Sequence, residues 1–280
     1  QKILDVSLVD ETANVISFLN VPSLAAEYTA GYGLPDKVAL FTSRQDGSWN
    51  DVNTWESNDL PQPLSEIPYG SIVIIREEDE VTISSDNRNA YRTEIYGRLN
   101  LGATSQHVLG KVSGTGTLAI ESGSLPAGRY DEFFACGGGT IEFGGTSTNY
   151  TIPSRVEKVN RIRFTGSGQR ILPSYTLQVC ELLEISGQAI LNNFENNILI
   201  KLSGDLVMES GASFMDGVGN ASIEMLGTSL QSISGPFIGN SGINKLIINN
   251  AAGVELLSDI EINSSLVFTK GLLNTTSTAM

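Results

Sequence analysis

The sequence predicts an all-β chain folded as a right-handed parallel β-helix, a β-solenoid, with an N-terminal cap that contains a short helix. Three observations carry this expectation. Short apolar runs such as SIVII, NRIRF, ILIKL and KLIINN alternate with clusters of Gly, Asn, Ser and Asp, which is the rhythm of strands and turns rather than of helices. Glycine supplies 29 of 280 residues while Lys and Arg together supply 17, so chain punctuation is abundant and helix-favouring cations are scarce. The third observation is a degenerate internal repeat: an apolar residue, a small or polar corner, Leu-x-apolar, then Gly or a polar turn.

Taken from the N-terminus, residues 22–31 (PSLAAEYTAG) place Pro in a first helical turn, follow it with Leu24, Ala25 and Ala26, and close on Gly, which predicts a short helix. Residues 1–45 are expected to form the cap and residues 46–280 the solenoid. A chain that starts at Gln1 suits a mature exported protein trimmed by a signal peptidase. The longest apolar run, SIVII at residues 71–75, is far too short to span a membrane.

The repeat recurs as IYGRLNL from Ile95, VSGTGTLAIESG from Val112, VCELLEISG from Val179, LSGDLVMESG from Leu202 and INSSLVFTKG from Ile262. Alternation puts Ile95, Leu99 and Leu101 on one face. Gly187 and Gly211 lie 24 residues apart, a length suited to one coil, and residues 95–280 are expected to hold about eight coils of roughly 22 residues stacked at the ~4.8 Å strand spacing. From Leu206 to Leu266 the same motif is absent for two or three coils. The GLLNTTSTAM end carries nothing to cover a last coil, so the native chain is expected to continue.

Charge narrows the function classes. With 31 acids against 17 bases the formal charge is −14, which opposes binding to nucleic acid and to anionic membrane surfaces. The two cysteines, Cys136 and Cys180, exclude a Cys-rich metal domain. Two coils between them span ~9.6 Å, beyond the ~7 Å reach of a disulfide, so free thiols are expected unless an insertion shortens the path. The single histidine, His107, is expected in a loop and supports neither a metal site nor a triad.

The candidate site residues are few. Trp49 and Trp55 either offer an aromatic platform to a sugar ring or plug the solenoid entrance, and the plug is favoured because Trp usually buries most of its area. Arg155, Lys158, Arg161, Arg163 and Arg170 concentrate positive charge and are candidates for steering an acidic glycan, against the simpler reading of a solvated strand face. Glu77, Glu78, Asp79 and Glu80 have oxygens enough for calcium, but neighbours on a strand point to opposite faces, so a solvated turn is expected. Asn192, Asn193, Asn196, Asn197, Asn249 and Asn250 are expected to stack as amide ladders at coil corners. No catalytic, cofactor or metal residues are assigned.

Residues 46–84, with the Trp-x5-Trp segment DGSWNDVNTW and the following strand pair, resemble the entry to β-helical modules of large secreted and cell-surface proteins of Bacteroidota, and residues 225–276 resemble their recurring coils. That resemblance implies export, often through the type IX secretion system, and a gliding or adhesive role. A weaker likeness to the eight-glycine domain of hyaluronan-processing and ciliary proteins departs at the SEIPYG insertion and in its irregular glycines. The expected function is therefore a non-enzymatic structural or adhesive module, secreted or at the cell surface, with polysaccharide, cell-surface components or the secretion machinery as partners. The alternative is a carbohydrate-active β-helix, a lyase or hydrolase, which requires carboxylates or a base clustered on one outer face.

Overall fold

The structure is a computed structural model that describes residues 6–10, 15–18 and 38–275. The chain divides into two units, Gln1–Val38 and Ala39–Met280. In the first, strands Val6–Asp10 and Val15–Phe18 form an antiparallel pair. The helix expected at residues 22–31 lies outside the described residues.

The second unit is the solenoid. Strand accounts for 48% of the described residues and helix for 4%, and the parallel coils make about 10 turns. Its first coil already includes strand Leu40–Ser43, which pairs parallel with Ser71–Ile75. A first face climbs through Ser71–Ile75, Ala90–Ile95, Val108–Ser113 and Ala127–Arg129, and resumes with Leu199–Leu202, Ser222–Met225 and Ile243–Asn249. Strand Leu177–Ile185 is long enough to belong to both faces, pairing through its first half with Leu199–Leu202 and through its second with Asp205–Met208. A short third face is built from Tyr150–Thr151, Ser167–Ile171, Gln188–Asn192 and Ser213–Met215.

The second face carries the core. Val81, Leu99, Leu118, Ile141, Ile162, Leu183, Leu206, Ile233 and Leu256 stand in direct register on successive coils, each 8% exposed or less. Eight coil-to-coil steps carry this ladder from Leu99 to Thr275, 22 residues per coil on average, as the sequence predicts. Full burial of each aliphatic side chain contributes about 1.5–3 kcal/mol, and that burial exists only because a neighbouring coil supplies the other half of the contact.

Four of the five repeat copies fall on this ladder, through Leu99, Leu118, Leu183 and Leu206. The fifth, INSSLVFTKG, belongs to the first face instead, where Leu266 pairs with Leu246. The 60-residue gap after Leu206 is therefore a change of face, with Ile233 and Leu256 continuing the ladder in SISG and VELL.

Gly187 and Gly211 do stack one coil apart, in a column that also contains Gly145 and Gly166. All four have positive φ, and a Cβ on Gly166 would stand 2.0 Å from the Gly145 carbonyl oxygen. Only glycine combines that conformation with that proximity.

Candidate functional site

The basic stretch does not form one solvated patch. It divides among three environments. Arg161 and Arg163 project from the outer side of the second face, where neighbouring coils bring carboxylates beside them. Arg161 Nε donates to Glu181 at 2.6 Å, and Arg163 Nε donates to Glu184 at 3.0 Å. Glu142, one coil away, lies 3.7 Å from Arg163 and accepts a two-pronged contact from Arg98, Nη1 at 3.0 Å and Nη2 at 2.7 Å. Arg98 also reaches Glu80 at 3.6 Å. The result is an alternating line of Glu80, Arg98, Glu142, Arg163 and Glu184 along six coils, in which the Arg98–Glu142 contact passes over the coil of Thr117–Ile120.

Glu142 is only 7% exposed. Burial alone would raise its carboxyl, but the Arg98 hydrogen bonds, the Arg98 and Arg163 charges and the Thr165 hydroxyl outweigh it and hold the group below the ordinary carboxylate range. The Glu142 bond in turn raises Arg98. Both groups stay charged at neutral pH.

Arg170 overturns the solvated-face expectation outright, because it is fully buried. It occupies an inward position of the third face, in register with Tyr150 on one side and Leu191 on the other. Its guanidinium stands 4.8 Å above the Tyr150 ring and donates to the carbonyls of Thr148 at 2.7 Å, Thr165 at 2.8 Å, Gly145 at 3.0 Å and Phe143 at 3.2 Å. A planar fork of five donors satisfies a corner that would otherwise leave carbonyls unpaired in the interior.

Arg155 and Lys158 share a half-open cleft of about 400 Å³ with Tyr130, Asp131, Phe134 and Ala135. Tyr130 forms its base: the ring stacks on Phe134 at 5.1 Å, its hydroxyl donates to the Pro126 carbonyl at 3.0 Å, and the Arg155 guanidinium lies 5.6 Å above it. Burial pushes the Tyr130 phenol far up, so it remains a neutral donor. One wall is helix Asp131–Phe134 and the loop after it. The cleft offers two exposed cations and one carboxylate over an aromatic floor, an arrangement that can hold an anion.

That loop also corrects the thiol expectation: Cys136 and Cys180 form a disulfide, with Cα atoms 5.4 Å apart. Other coils pass from first to second face in a few residues, whereas residues 130–139 are inserted between strands Ala127–Arg129 and Thr140–Phe143. The insertion climbs over the next coil, where Asn160 accepts from Gly137 N at 2.9 Å and donates to the Gly138 carbonyl at 2.8 Å. Cys180 sits at a register shift opposite Asn160. The two-coil distance is bridged by chain, not by side-chain reach.

The remaining candidates are structural. Trp49 and Trp55 are buried at 0% and 1% exposure with ring centroids 5.4 Å apart, and their indole N–H groups donate to the carbonyls of Pro68 and Trp49. Neither ring offers a face to a sugar. His107 is buried rather than set in an open loop; Nδ1 accepts from Arg88 N at 3.1 Å, which leaves the proton on Nε2 facing Thr104, and burial lowers its pKa.

Asp46 and the acidic turn line a cleft of about 420 Å³ with Arg98. Glu77 and Glu78 are exposed, Asp79 accepts from Ser43, and Glu80 joins the ion line, so the turn is solvated in part. No metal-holding group of acids or histidines occurs among the described residues. The asparagines do not stack on one another; Asn193 brackets the Ile198 backbone, Asn196 donates to Leu172 O, Asn250 to Ser229 O, Asn192 to Gln169 and Asn249 to Glu224.

Comparison of the chain with protein-family models, with curated proteins and with solved structures finds no match. Among the described residues, no helix is long and apolar enough to cross a membrane.

Proposed function

We propose that the chain is a non-enzymatic structural or adhesive module of a large exported protein. The observation that carries this reading is the line from Glu80 to Glu184. Cleavage of an acidic polysaccharide on a β-helix needs a base beside a cation left free to neutralise the substrate. On the second face Arg98, Arg161 and Arg163 are instead committed to carboxylates one or two coils away, so that charged outer face joins coil to coil.

The Cys136–Cys180 bridge supports an oxidising compartment, and with it secretion or display at the cell surface, because structural disulfides are rare in the cytosol of mesophiles. Export through the type IX system rests on the likeness of residues 46–84 and 225–276 to Bacteroidota modules.

The test is incubation of the purified chain with neutral and acidic polysaccharides, followed by assay for new chain ends. No new ends with any polymer is the expected result. New ends that disappear in Glu142→Gln would make the protein a carbohydrate-active enzyme and remove the structural reading.

A further inference from the structure

Arg92, Lys111 and Arg129 occupy directly paired positions on three successive strands of the first face. Like charges opposite one another in a sheet are destabilising, and adjacent rungs are only ~4.8 Å apart. In a chain with a formal charge of −14, this row needs an explanation.

Arg155 extends the row upward, since its guanidinium donates to the Gly128 carbonyl on the uncovered edge of strand Ala127–Arg129, and Lys158 follows it in the cleft above Tyr130. The carboxylates facing the row are Glu94, 2.8 Å from Arg92, Glu132, 2.5 Å from Lys111, and Asp131 in the cleft wall. Among the described residues, no carboxylate lies within ion-pair distance of Arg129, Arg155 or Lys158. Two tyrosines at the lower end, Tyr69 at 76% and Tyr91 at 50% exposure, add uncovered aromatic surface where these strands begin.

We infer that this face binds a linear acidic polysaccharide lying along the stacking direction, one carboxylate or sulfate opposite each rung. The row supplies cations at the coil repeat, and the tyrosines supply flat surfaces against which sugar rings pack. A nucleic acid is disfavoured because its dense phosphates meet the acidic remainder of the chain. The inference deepens the adhesive half of the proposed function and rests on that reading.

The experiment is native gel electrophoresis with polymer cast in the gel, using polygalacturonate, polymannuronate and chondroitin sulfate, with fully methyl-esterified polygalacturonate as the uncharged control. At least one acidic polymer is expected to retard the protein, less so as salt rises, and the esterified polymer is not. Arg92→Gln, Lys111→Gln and Arg129→Gln combined should weaken retardation at least tenfold. Arg44→Gln, Arg161→Gln and Arg163→Gln combined, the same change in charge off the first face, should leave it unchanged. Arg129→Gln alone should weaken it about threefold with no change in melting temperature, so the answer does not depend on the triple variant folding.

The inference is overturned by no retardation with any of the three acidic polymers, by equal retardation in the esterified one, by equal loss in both triple variants, or by equally tight binding of a single-stranded oligonucleotide. Each of these removes the binding face alone, because the structural role is read from chain cleavage.

Discussion

Glu142 and Arg170 are both charged, both buried, and held in opposite ways. Glu142 is matched by cations, so removing its charge leaves Arg98 without its bidentate acceptor; Glu142→Gln should destabilise the fold by about 1–2 kcal/mol at neutral pH, read from denaturant midpoints. The sign of the pH effect follows from its lowered carboxyl. Its contribution is complete above the unfolded glutamate value, about 4.3, and is lost as pH falls through the lower folded value, so wild type and variant should converge in acid. A gap that stays constant from neutral pH into acid would remove the ionic account. Arg170 has carbonyls instead of carboxylates around it, so Arg170→Met should cost about 3 kcal/mol through orphaned acceptors. Arg170→Lys should recover little, since one ammonium cannot reach carbonyls spread around a planar fork. Neither residue was legible in the sequence: Arg170 alternates like its neighbours in SGQRI, and only the register with Tyr150 and Leu191 reveals that its position faces inward.

The insertion at residues 130–139 is the element whose role depends most on its covalent tie. Cys136 and Cys180 close a loop of 44 residues, and their joint replacement by Ser should lower stability by up to roughly 4 kcal/mol from regained chain entropy. Calorimetry with and without reductant measures that loss, and limited trypsin digestion should cut first near Arg129 or Arg155, where the cleft wall loosens. A reduced protein melting at the oxidised temperature would mean that the Asn160 bonds alone hold the loop. The sequence argument for free thiols was sound for a regular solenoid and failed because DEFFACGGG carries no signal that it leaves the coil path. The core, by contrast, was readable from Leu99, Leu118, Leu183 and Leu206, because each is followed by the same alternation and a turn glycine. Leu266 was misassigned for the same reason: its local pattern matches theirs, and only pairing tells one face from another.

Across the solenoid the ladder from Val81 to Leu256 means that each coil owes its buried area to its two neighbours, so stability should behave as a chain of nearest-neighbour terms rather than as a single core. Removal of one whole coil tests this. Gly187 and Gly211 meet at the same corner of neighbouring coils, and deletion of the 23 residues 188–210 joins Ile185, Ser186 and Gly187 to Gly211 with every face in phase: Ala212 would take the place of Ala189 and Phe214 that of Leu191. The shortened protein should keep a β-type circular dichroism spectrum and a cooperative unfolding transition, with a modest loss of stability. Deletion of residues 188–199, half a coil, puts first-face residues where third-face residues belong and sets polar side chains against Leu183 and Ile185. That variant should lose the cooperative transition, since exchanging apolar for polar groups at several rungs forfeits about 1.5–3 kcal/mol at each. If the full-coil deletion unfolds as completely as the half-coil one, the coils are not interchangeable units, and the stability resides in particular contacts such as the Arg170 corner rather than in the repeat.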